Sequence, residues 1–535
     1  MGLSKLSMLA FAGLAAAELP AIHVTGSKFF YENGTQFFMK GIAYQQDTAA
    51  NGQTNDKASK YIDPLADEDN CKRDVPLLEK LGVNTIRTYA INPDSDHKAC
   101  MKLLEDAGIY VISDLSEPSL SIQRDDPQWN TELYERYTGV VDELAQYSNV
   151  IGFFAGNEVS DANNNTAASA YVKAAVRDTK KYIKSKGYPL GVGYATNDHP
   201  DIRDKISAYF NCGKAEEAAD FWGYNIYSWC GDSNMKDSGY ANWVKFYQDY
   251  NVPVFFAEYG CNEPGGAEGR KFDDTRALFS DEMTGVFSGG LVYRYFQEEN
   301  DYGVVEVKNG KATEMKNFQA LKKAHAQVDP KGVSEDDYKA PTDRQECPEI
   351  GEYWIANSVL PPTPDDSLCK CAVAASGCAV NDEVKPKDFG KMFGYICGEN
   401  GKLCTAINGN ATTGVYGAYS MCEPRDKLSI LLGMYYEDLN SDSSACDFDG
   451  KASTKDAEDD DKCSDALASA SAVNEEAATA TAPVTGATGG ADDAEDDDSF
   501  GIMNAPIARL FSIGDMAVGM YMVAALGVGA AMVAL

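Results

Sequence analysis

Short apolar runs alternate with amphipathic stretches over the N-terminal half of the chain. An unbroken apolar run is typical of a strand buried on both faces, and apolar residues at helical spacing predict a helix that packs against it. Eight candidate strands follow: residues 37–44, 84–90, 109–115, 150–158, 189–195, 221–227, 252–259 and 290–296. The clearest helices between them are residues 71–82, 98–108, 132–147 and 168–187. Eight successive strand-then-helix units predict an α/β fold, a (β/α)8 TIM-type barrel.

A doubly wound open sheet is the alternative explanation of the same alternation. Nucleotide-binding sheets of that kind carry a glycine-rich phosphate loop after an early strand. Neither GxGxxG nor GxxxxGK[ST] follows the first candidate strands. We therefore expect the barrel, in a domain over residues 18–330.

Two of the candidate strands end in a glutamate. The run VIGFFAGNE closes the fourth strand on Asn157-Glu158, and VPVFFAEYG carries Glu258 at the end of the seventh. In a parallel barrel the carboxyl ends of all strands meet at one mouth, where active sites are built. Two carboxylates there indicate glycoside hydrolysis or transfer, which needs an acid/base and a nucleophile or base. The alternative is a pair of unrelated, solvated glutamates at strand ends.

The neighbours of the two glutamates suggest separate roles. Asn157 can donate a hydrogen bond to a sugar hydroxyl beside the scissile bond, and Tyr259 with nearby aromatic residues can pack around Glu258. We therefore expect Glu158 to be the acid/base and Glu258 the nucleophile. A retaining pair of this kind holds its carboxyl groups roughly 5 Å apart.

The N-terminus has the pattern of a secretory signal. A lysine near the start, an apolar stretch and small residues at Ala15 and Ala17 predict a signal peptide over residues 1–17, cleaved before Glu18. We expect the mature protein to be secreted, where disulfides and N-linked glycans form. Three sequons predict N-glycosylation at Asn33, Asn164 and Asn410.

The C-terminus has the pattern of a lipid-anchor signal. Its final segment is apolar and uncharged, with no basic residue after it. This pattern favours a GPI-attachment signal over residues 504–535, removed on maturation, with attachment at Asn504. Gly489-Gly490 is an alternative attachment site, and a single membrane span is the alternative to an anchor. The Ser-, Ala- and Asp-rich residues 464–503 predict a disordered tether.

Fourteen cysteines in a secreted chain predict disulfides rather than metal sites. Eight of them lie between Cys369 and Cys463, so we expect a second, small disulfide-rich domain over residues 369–463, joined to the barrel by a linker over 331–368. Eight cysteines allow about 105 connectivities, which the sequence alone leaves open. The four histidines form no cluster, so we expect neither a metal nor a cofactor.

The net charge of −35 argues against nucleic acid as a partner, because phosphate binding needs a basic surface. Much of that charge lies in acidic runs at residues 456–461 and 492–498. Such runs fit a solvated tether, so the charge excludes one class of partner without indicating another.

Seven strings around the candidate strand ends resemble one family. They are KGIAYQ, NTIRTYAI, GNEV, ATND, YNIYSWCG, FFAEYGCNE and SGGLVYRYFQEENDYGVV. In this order they resemble glycoside hydrolase family 72, the fungal β-1,3-glucanosyltransferases, and the resemblance covers nearly the whole mature chain. It extends to the cysteine-rich domain, which looks like a family 43 carbohydrate-binding module, and to the GPI-type tail.

The resemblance implies site residues position by position. It makes Glu158 the acid/base and Glu258 the nucleophile, in agreement with the assignment from their neighbours. The glucan-contacting positions that it implies are Tyr89, Asn157, Asp198, Arg203 and Tyr293. Tyr227 and Asp114, which also lie at strand ends, are further candidates. Tyr89 and Tyr293 would offer amphipathic ring faces to pyranose rings.

The resemblance also implies seven disulfides. Three belong to the barrel domain: Cys71–Cys100, Cys212–Cys347 and Cys230–Cys261. Four belong to the cysteine-rich module: Cys369–Cys422, Cys371–Cys463, Cys378–Cys446 and Cys397–Cys404. The Cys212–Cys347 bond would strap the linker to the barrel.

The activity that the resemblance implies is a retaining transglycosylation. The enzyme would cleave an internal β-1,3 linkage and transfer the new reducing end to the non-reducing end of another β-1,3-glucan. Its partners would be a donor and an acceptor glucan, and its GPI lipid would hold it, as a monomer, at the outer face of the plasma membrane or in the cell wall. A hydrolytic β-1,3-glucanase and a non-catalytic glucan-binding wall protein are the alternatives. The module either binds glucan or only supports folding.

Overall fold

The computed structural model describes residues 19–46, 61–458 and 460–480. The predictions for the two chain ends, the signal peptide and the GPI signal with Asn504, lie outside the described residues. Within these ranges, no helix combines the length and the apolar character that a membrane span requires.

Eight parallel strands close into a barrel. A small antiparallel sheet precedes it, made of β1 (Ile22–Thr25), β2 (Lys28–Tyr31) and β3 (Gln36–Phe37). The barrel strands are β4 (Met39–Ala43), β5 (Thr85–Thr88), β6 (Tyr110–Asp114), β7 (Val150–Asn157), β8 (Gly191–Thr196), β9 (Trp222–Ile226), β10 (Val254–Tyr259) and β11 (Phe287–Val292). Successive strands pair in parallel and β11 closes on β4. Each strand overlaps one of the eight predicted runs, so the prediction of a (β/α)8 barrel is confirmed.

Helices follow the strands on the outside of the barrel. They are α1 (Glu68–Leu81), α2 (Lys98–Asp106), α3 (Thr131–Leu144), α4 (Ala168–Lys186), α5 (Arg203–Asn211), α6 (Tyr240–Tyr247), α7 (Gly266–Gly269), α8 (Asp273–Leu278), α9 (Asp281–Thr284) and α10 (Lys316–Gln327), with a hairpin of β12 (Val305–Lys308) and β13 (Lys311–Glu314) before α10. Helix α1 shows how local sequence sets a boundary. Its cap Asp67 accepts a hydrogen bond from the Asn70 amide, and Gly82 ends it with a φ of 72°.

The β1–β3 sheet covers the N-terminal end of the barrel. Its Phe29 ring lies 6.0 Å from Phe255 and 6.1 Å from Phe221, at the starts of β10 and β9. These rings belong to one buried apolar cluster, which excludes water from this end. The opposite end, where the strands have their carboxyl termini, is therefore the open mouth.

Strand β11 begins earlier than its sequence predicts, at Phe287 rather than at residue 290. The predicted run begins at Gly290 and omits Gly289, because glycine weakens the interior of most strands. Both lie inside the strand, and a Cβ on Gly289 would be 2.2 Å from the carbonyl oxygen of Met39. Glycine is required there by the close approach of β11 to β4.

The cysteine-rich module has a hydrophobic core of its own. It contains α11 (Asp366–Ala375), α12 (Pro386–Glu399), α13 (Gly401–Cys404), α14 (Pro424–Asp438) and α15 (Asp461–Thr479). Two short strand pairs complete it: β14 (Cys378–Val380) with β17 (Ala452–Thr454), and β15 (Gly409–Asn410) with β16 (Val415–Tyr416). Helix α14 lies at the centre, in contact with α11, α12, α13 and β14.

The prediction of a disordered tether is wrong for residues 464–479, which belong to helix α15. Alanine-rich composition indicates low complexity, but alanine is also the best helix former. Leu467, Ala470 and Val473 recur at helical spacing and pack on the module core. The disulfide from Cys463 to helix α11 holds the start of α15 in place. The tether beyond residue 480 lies outside the described residues.

Seven disulfides join all fourteen cysteines of the chain, in the pairs that the resemblance implies. They are Cys71–Cys100, Cys212–Cys347, Cys230–Cys261, Cys369–Cys422, Cys371–Cys463, Cys378–Cys446 and Cys397–Cys404. The Cys212–Cys347 bond ties the segment after the barrel to the end of α5. It closes a loop with a sequence separation of 135 residues, so it restricts the unfolded chain strongly.

The module packs directly on the barrel domain. Trp354, in the connecting segment, lies 5.0 Å from the ring of Tyr209, and Tyr416 of the module lies 6.1 Å from Tyr171. All four belong to or pack against the hydrophobic cluster that contains the barrel helices. The hydroxyl of Tyr209 also donates to the Asn357 carbonyl at 2.6 Å. This shared core supports a structural role for the module.

A buried histidine joins three segments beside the barrel. His97, at the start of α2, is fully buried between two carboxylates. Its Nδ1 lies 2.8 Å from Glu143 of α3, and its Nε2 lies 2.9 Å from Asp63. Burial lowers the pKa of His97, but the hydrogen bonds and charges of Asp63 and Glu143 outweigh that cost, so its pKa is raised above the ordinary value.

We expect His97→Gln to lower the melting temperature by several degrees near pH 5.5 and by less near pH 8.5. A raised folded-state pKa gives stability that is complete below the unfolded pKa of about 6.5 and is lost as pH rises through the folded value. His325→Gln is a control with the opposite sign, because burial lowers the pKa of His325 to about 3 and keeps the folded ring neutral. The wild type therefore loses stability from His325 as pH falls below the unfolded value of about 6.5, and this variant should be less destabilised near pH 5.5 than near pH 8.5. Equal pH dependence in the two variants would contradict the expectation.

Candidate active site

The two glutamates lie at the open mouth of the barrel. Glu158 directly follows β7, and Glu258 lies inside β10, beside Asn225 of the neighbouring strand β9. The Glu158 backbone has a φ of 50°, a conformation that non-glycine residues rarely adopt. Its amide donates to the Ala195 carbonyl at 2.8 Å, and its own carbonyl accepts from Arg124 at 2.8 Å. These contacts fix the direction in which the Glu158 side chain leaves the strand.

Glu258 is buried and surrounded by hydrogen-bond donors. The Tyr89 hydroxyl donates to its Oε1 at 2.7 Å, and the Tyr227 hydroxyl donates to its Oε2 at 2.8 Å. Arg87 Nη1 lies 3.5 Å from Oε1. Burial raises the pKa of Glu258, the Arg87 charge opposes that shift and the Glu158 charge adds to it, so the pKa lies above its usual value. The tyrosine and arginine donors favour the ionised form, which a nucleophile requires.

A fully buried arginine organises the floor of the site. Arg87 donates to both oxygens of Asp114 at 2.9 Å, and its Nη2 donates to Asn157 Oδ1 at 3.0 Å. Its guanidinium also lies 4.3 Å from the centre of the Tyr89 ring. Burial raises the pKa of Asp114, while the Arg87 charge and hydrogen bonds oppose the shift. Asp114 therefore holds Arg87, and Arg87 in turn reaches towards Glu258.

Glu158 belongs to the same network through two amides. Asn225 Nδ2 donates to Glu158 Oε1 at 2.8 Å and to Asn157 Oδ1 at 3.1 Å. Because the Asn157 oxygen accepts from both Asn225 and Arg87, its amide nitrogen is the atom that can donate to a ligand. A continuous chain of contacts thus runs from Glu158 through Asn225, Asn157 and Arg87 to Glu258.

Three tyrosines form a wall beside Glu258. The rings of Tyr227, Tyr293 and Tyr302 meet nearly edge to face at centroid distances of 6.3, 5.6 and 5.4 Å. The Tyr293 hydroxyl accepts from Arg294 at 3.0 Å and from Asn300 at 3.2 Å. Such tyrosines present a flat apolar surface with polar edges, which suits a sugar ring. We call this group the tyrosine wall.

Asp198 and Arg203 form a separate cluster at the rim. Arg203 Nη1 donates to Asp198 Oδ1 at 2.6 Å, and the Tyr224 hydroxyl donates to the same oxygen. The Arg203 guanidinium lies 4.7 Å from the ring of Trp243 on α6. The described contacts of this pair do not include either glutamate. The structure therefore brings Tyr89, Asn157, Tyr227, Tyr293 and Asp114 to the glutamates, and leaves Asp198 and Arg203 at the edge.

Three residues of the site are absent from the sequence prediction: Arg87, Asn225 and Tyr302. Asn225 stands as a polar residue within the apolar run FWGYNIY, which is the signal that marks Asn157 and Glu158, so that signal could have indicated it. Arg87 lies between two threonines in the strand TIRT, where no such contrast marks it. Tyr302 lies in a loop after β11 without periodicity, and no local pattern distinguishes it from the other tyrosines.

The arrangement defines a class of protein. A (β/α)8 barrel holds two carboxylates at one mouth, one enclosed by tyrosine and arginine donors and the other held by an amide, beside an aromatic wall. This arrangement is typical of the active site of a barrel glycosidase or transglycosidase. The chain belongs to the glucanosyltransferase family, glycoside hydrolase family 72, whose sequence profile matches residues 11–329. An X8 domain profile matches residues 376–453, within the cysteine-rich module.

Individual relatives agree with the family. A 1,3-beta-glucanosyltransferase of Arthroderma benhamiae is 51% identical, covering 97% of this chain and 94% of its own. The 1,3-beta-glucanosyltransferase gas1 of Schizosaccharomyces pombe is 44% identical, covering 84% and 81%. Among solved structures, Saccharomyces cerevisiae Gas2p in complex with laminaripentaose superposes with a TM-score of 0.75 at 42% identity, covering 82% of this chain and 97% of that one.

Proposed function

We propose that this enzyme is a retaining β-1,3-glucan transglycosylase that elongates cell-wall glucan. It cleaves an internal β-1,3 linkage and transfers the new reducing end to the non-reducing end of another β-1,3-glucan. The observation that carries this proposal is the pair of glutamates at the barrel mouth, joined through Asn225, Asn157 and Arg87. The transferase names of the relatives and the laminaripentaose bound to Gas2p support the reaction and the substrate class.

The first half of the reaction forms a covalent intermediate. Ionised Glu258 attacks the anomeric carbon while Glu158 donates its proton to the departing glycosidic oxygen. The C–O bond to the leaving chain breaks as the bond to the Glu258 carboxylate forms. The hydrogen bonds from Tyr89 and Tyr227 hold the two carboxylate oxygens in fixed directions, so the nucleophile is oriented before substrate arrives. The Asn157 amide is placed to donate to a sugar hydroxyl.

The second half regenerates the enzyme. Glu158, now ionised, takes the proton of the non-reducing-end hydroxyl of an acceptor glucan, and that oxygen displaces Glu258 from the anomeric carbon. Two displacements retain the β configuration. Water in place of the acceptor would give hydrolysis, so the ratio of the two outcomes depends on how well acceptor sugars occupy the mouth.

We also propose that the enzyme acts outside the cell, anchored by GPI lipid. The three sequon residues Asn33, Asn164 and Asn410 are exposed, and all cysteines are paired, as suits a secreted protein. A phosphatidylinositol-specific phospholipase should release the full-length protein from membranes. Retention after such treatment would favour a membrane span instead.

The decisive test is product analysis with a borohydride-reduced laminari-oligosaccharide. Because the donor has no reducing end, each hydrolytic event creates a reducing sugar, whereas each transfer creates one shorter and one longer reduced chain. We expect longer chains by mass spectrometry, with β-1,3 linkages by NMR, and few new reducing ends. Shorter products with stoichiometric reducing ends would show a β-1,3-glucanase, and binding without any product would show a non-catalytic wall protein.

A further inference from the structure

A second buried arginine lies behind the tyrosine wall. Arg270 follows α7 and is 6% exposed. Its Nη1 donates to the Tyr293 carbonyl at 2.6 Å and to the Gly260 carbonyl at 3.3 Å, and its Nη2 donates to the Tyr302 carbonyl. One guanidinium thus joins the end of β10, the end of β11 and the loop after β11. Two of its three acceptors are the backbones of wall tyrosines.

The segment after the third wall tyrosine, Tyr227, lies beside the same guanidinium. Trp229, two residues after Tyr227, lines a cavity of about 20 Å³ together with Arg270. A cavity of that size accommodates one water molecule. The buried Nε atoms of Arg270 and Trp229 have no hydrogen-bond partner among the described residues, so both can donate to such a water. The segment after Tyr227 therefore lines the same cavity as Arg270, which binds the backbones of the other two wall tyrosines directly.

The wall is connected to the nucleophile. Tyr302 and Tyr293 contact the ring of Tyr227, whose hydroxyl donates to Glu258 Oε2 at 2.8 Å. A displacement of the Tyr293 or Tyr302 backbone would therefore change the surface on which Tyr227 rests and the direction of its hydroxyl. The described hydrogen bonds of Arg270 do not include Glu258, so it reaches the nucleophile through the wall tyrosines and through the Gly260 carbonyl, two residues beyond Glu258.

We propose that Arg270 is a positioning residue, which fixes the tyrosine wall for the glucan chain and, through Tyr227, orients Glu258. This inference rests on the proposed function for its substrate. Arginine suits the task because its planar fork carries five N–H donors in fixed directions, whereas a lysine ammonium carries three on a flexible stem. Gly260 allows the approach, since a Cβ at that residue would lie 3.3 Å from Arg270 Nη1.

The chain offers a matched control in Arg425 of the module. Its guanidinium also donates to three backbone carbonyls, those of Asn381, Asp382 and Val384, and it lies 5.2 Å from the ring of Phe389. Arg425 therefore matches Arg270 in chemistry but is not part of the tyrosine wall. A substitution of Arg425 therefore measures how much stability is lost when an arginine that binds three backbone carbonyls is replaced.

The experiment compares Arg270→Lys with Arg425→Lys in the full-length protein. We expect both to lower the melting temperature. Only Arg270→Lys should lower kcat/KM for laminari-oligosaccharide cleavage, by about 10- to 100-fold with a raised KM, because small misplacements of binding groups are costly. It should also move the acidic limb of the kcat/KM profile to higher pH, as Tyr227→Phe should. Loss of the hydrogen bond from Tyr227 favours the protonated form of Glu258 and so raises its pKa. The other charged or titratable groups around Glu258 are Arg87, Glu158 and Tyr89, which both variants retain.

Two results would overturn the proposal. One is an Arg270→Lys enzyme with wild-type KM and pH profile, and the other is equal loss in both arginine variants. If Arg270→Lys fails to fold, Tyr302→Leu is the second variant. It removes a ring of the tyrosine wall but keeps the backbone carbonyl that Arg270 binds. An unchanged KM in Tyr302→Leu would exclude a role of the wall in glucan binding, and with it the proposal. The assay measures all cleaved glucan linkages, whether the product is transferred or hydrolysed. A purely hydrolytic enzyme would therefore contradict the proposed transfer but would still test the role of Arg270. If the wild-type protein cleaves no glucan, calorimetry of laminaripentaose binding replaces the activity assay. We then expect a weaker affinity in Arg270→Lys and an unchanged affinity in Arg425→Lys.

Discussion

Glu258→Gln should lower kcat/KM for laminari-oligosaccharides by at least about three orders of magnitude, since removal of a covalent nucleophile has effects of that size or larger. The amide cannot form the glycosyl ester. The fold should be unaffected, because Gln has the same shape and its oxygen can still accept from Tyr89 or Tyr227. Burial raises the pKa of Glu258, which means that the ionised carboxylate is costly in the folded state, so the melting temperature should not fall.

Glu158→Gln should be as inactive on natural glucan but for a different reason. Without a proton donor the glycosidic oxygen cannot leave, yet Glu258 can still attack a donor whose aryl leaving group needs no protonation. We expect Glu158→Gln to accumulate a covalent glycosyl-enzyme with such a donor, visible by mass spectrometry of the intact protein. Glu258→Gln should form none.

Glu268→Gln is the control for both variants, because Glu268 is an exposed carboxylate ten residues beyond Glu258. It should keep wild-type activity. Full activity of either site variant would refute the assigned pair, and a covalent intermediate on Glu258→Gln would reverse the roles. Each assignment is therefore tested by a different measurement.

The barrel could be predicted from sequence because each strand is buried on both faces. Runs such as VIGFFAGN have no polar alternation, and this distinguishes them from amphipathic helices without knowledge of their partners. The prediction failed at two places. The strand prediction omitted Gly289, which allows the close packing of β11 against β4, and the tether prediction covered the alanines of α15, which form a helix on the module.

The glutamates of the site were also predictable, because a carboxylate at the end of a buried strand has few structural explanations. The arginine that supports Glu258 was not predictable in this way. Arg87 contacts Asp114 from the next strand, Asn157 from the one after, and Glu258 from the seventh, so its role exists only after the barrel closes. Asp198 is the opposite case, since its motif is local but its described partners lie away from the glutamates.

Arg87→Met should be the most destabilising single change at the site. It leaves Asp114 buried without its cation, and breaking a buried ion pair in this way costs about 3–5 kcal/mol. It also removes the charge that favours ionised Glu258, so kcat/KM should fall by at least about 100-fold, as expected when an oriented electrostatic contact is lost. Thermal unfolding and glucan cleavage measure the two effects.

The double variant Arg87→Met with Asp114→Asn separates the two effects. With both charges gone, the desolvation cost is removed as well, so most of the stability should return. Activity should not return, because Glu258 and Asn157 have still lost the same donor. Arg177→Met is the control, since Arg177 pairs with buried Asp178 outside the site and its loss should affect stability alone. Recovery of activity in the double variant would show that Arg87 only neutralises Asp114, and that the contact with Glu258 has no role in the reaction.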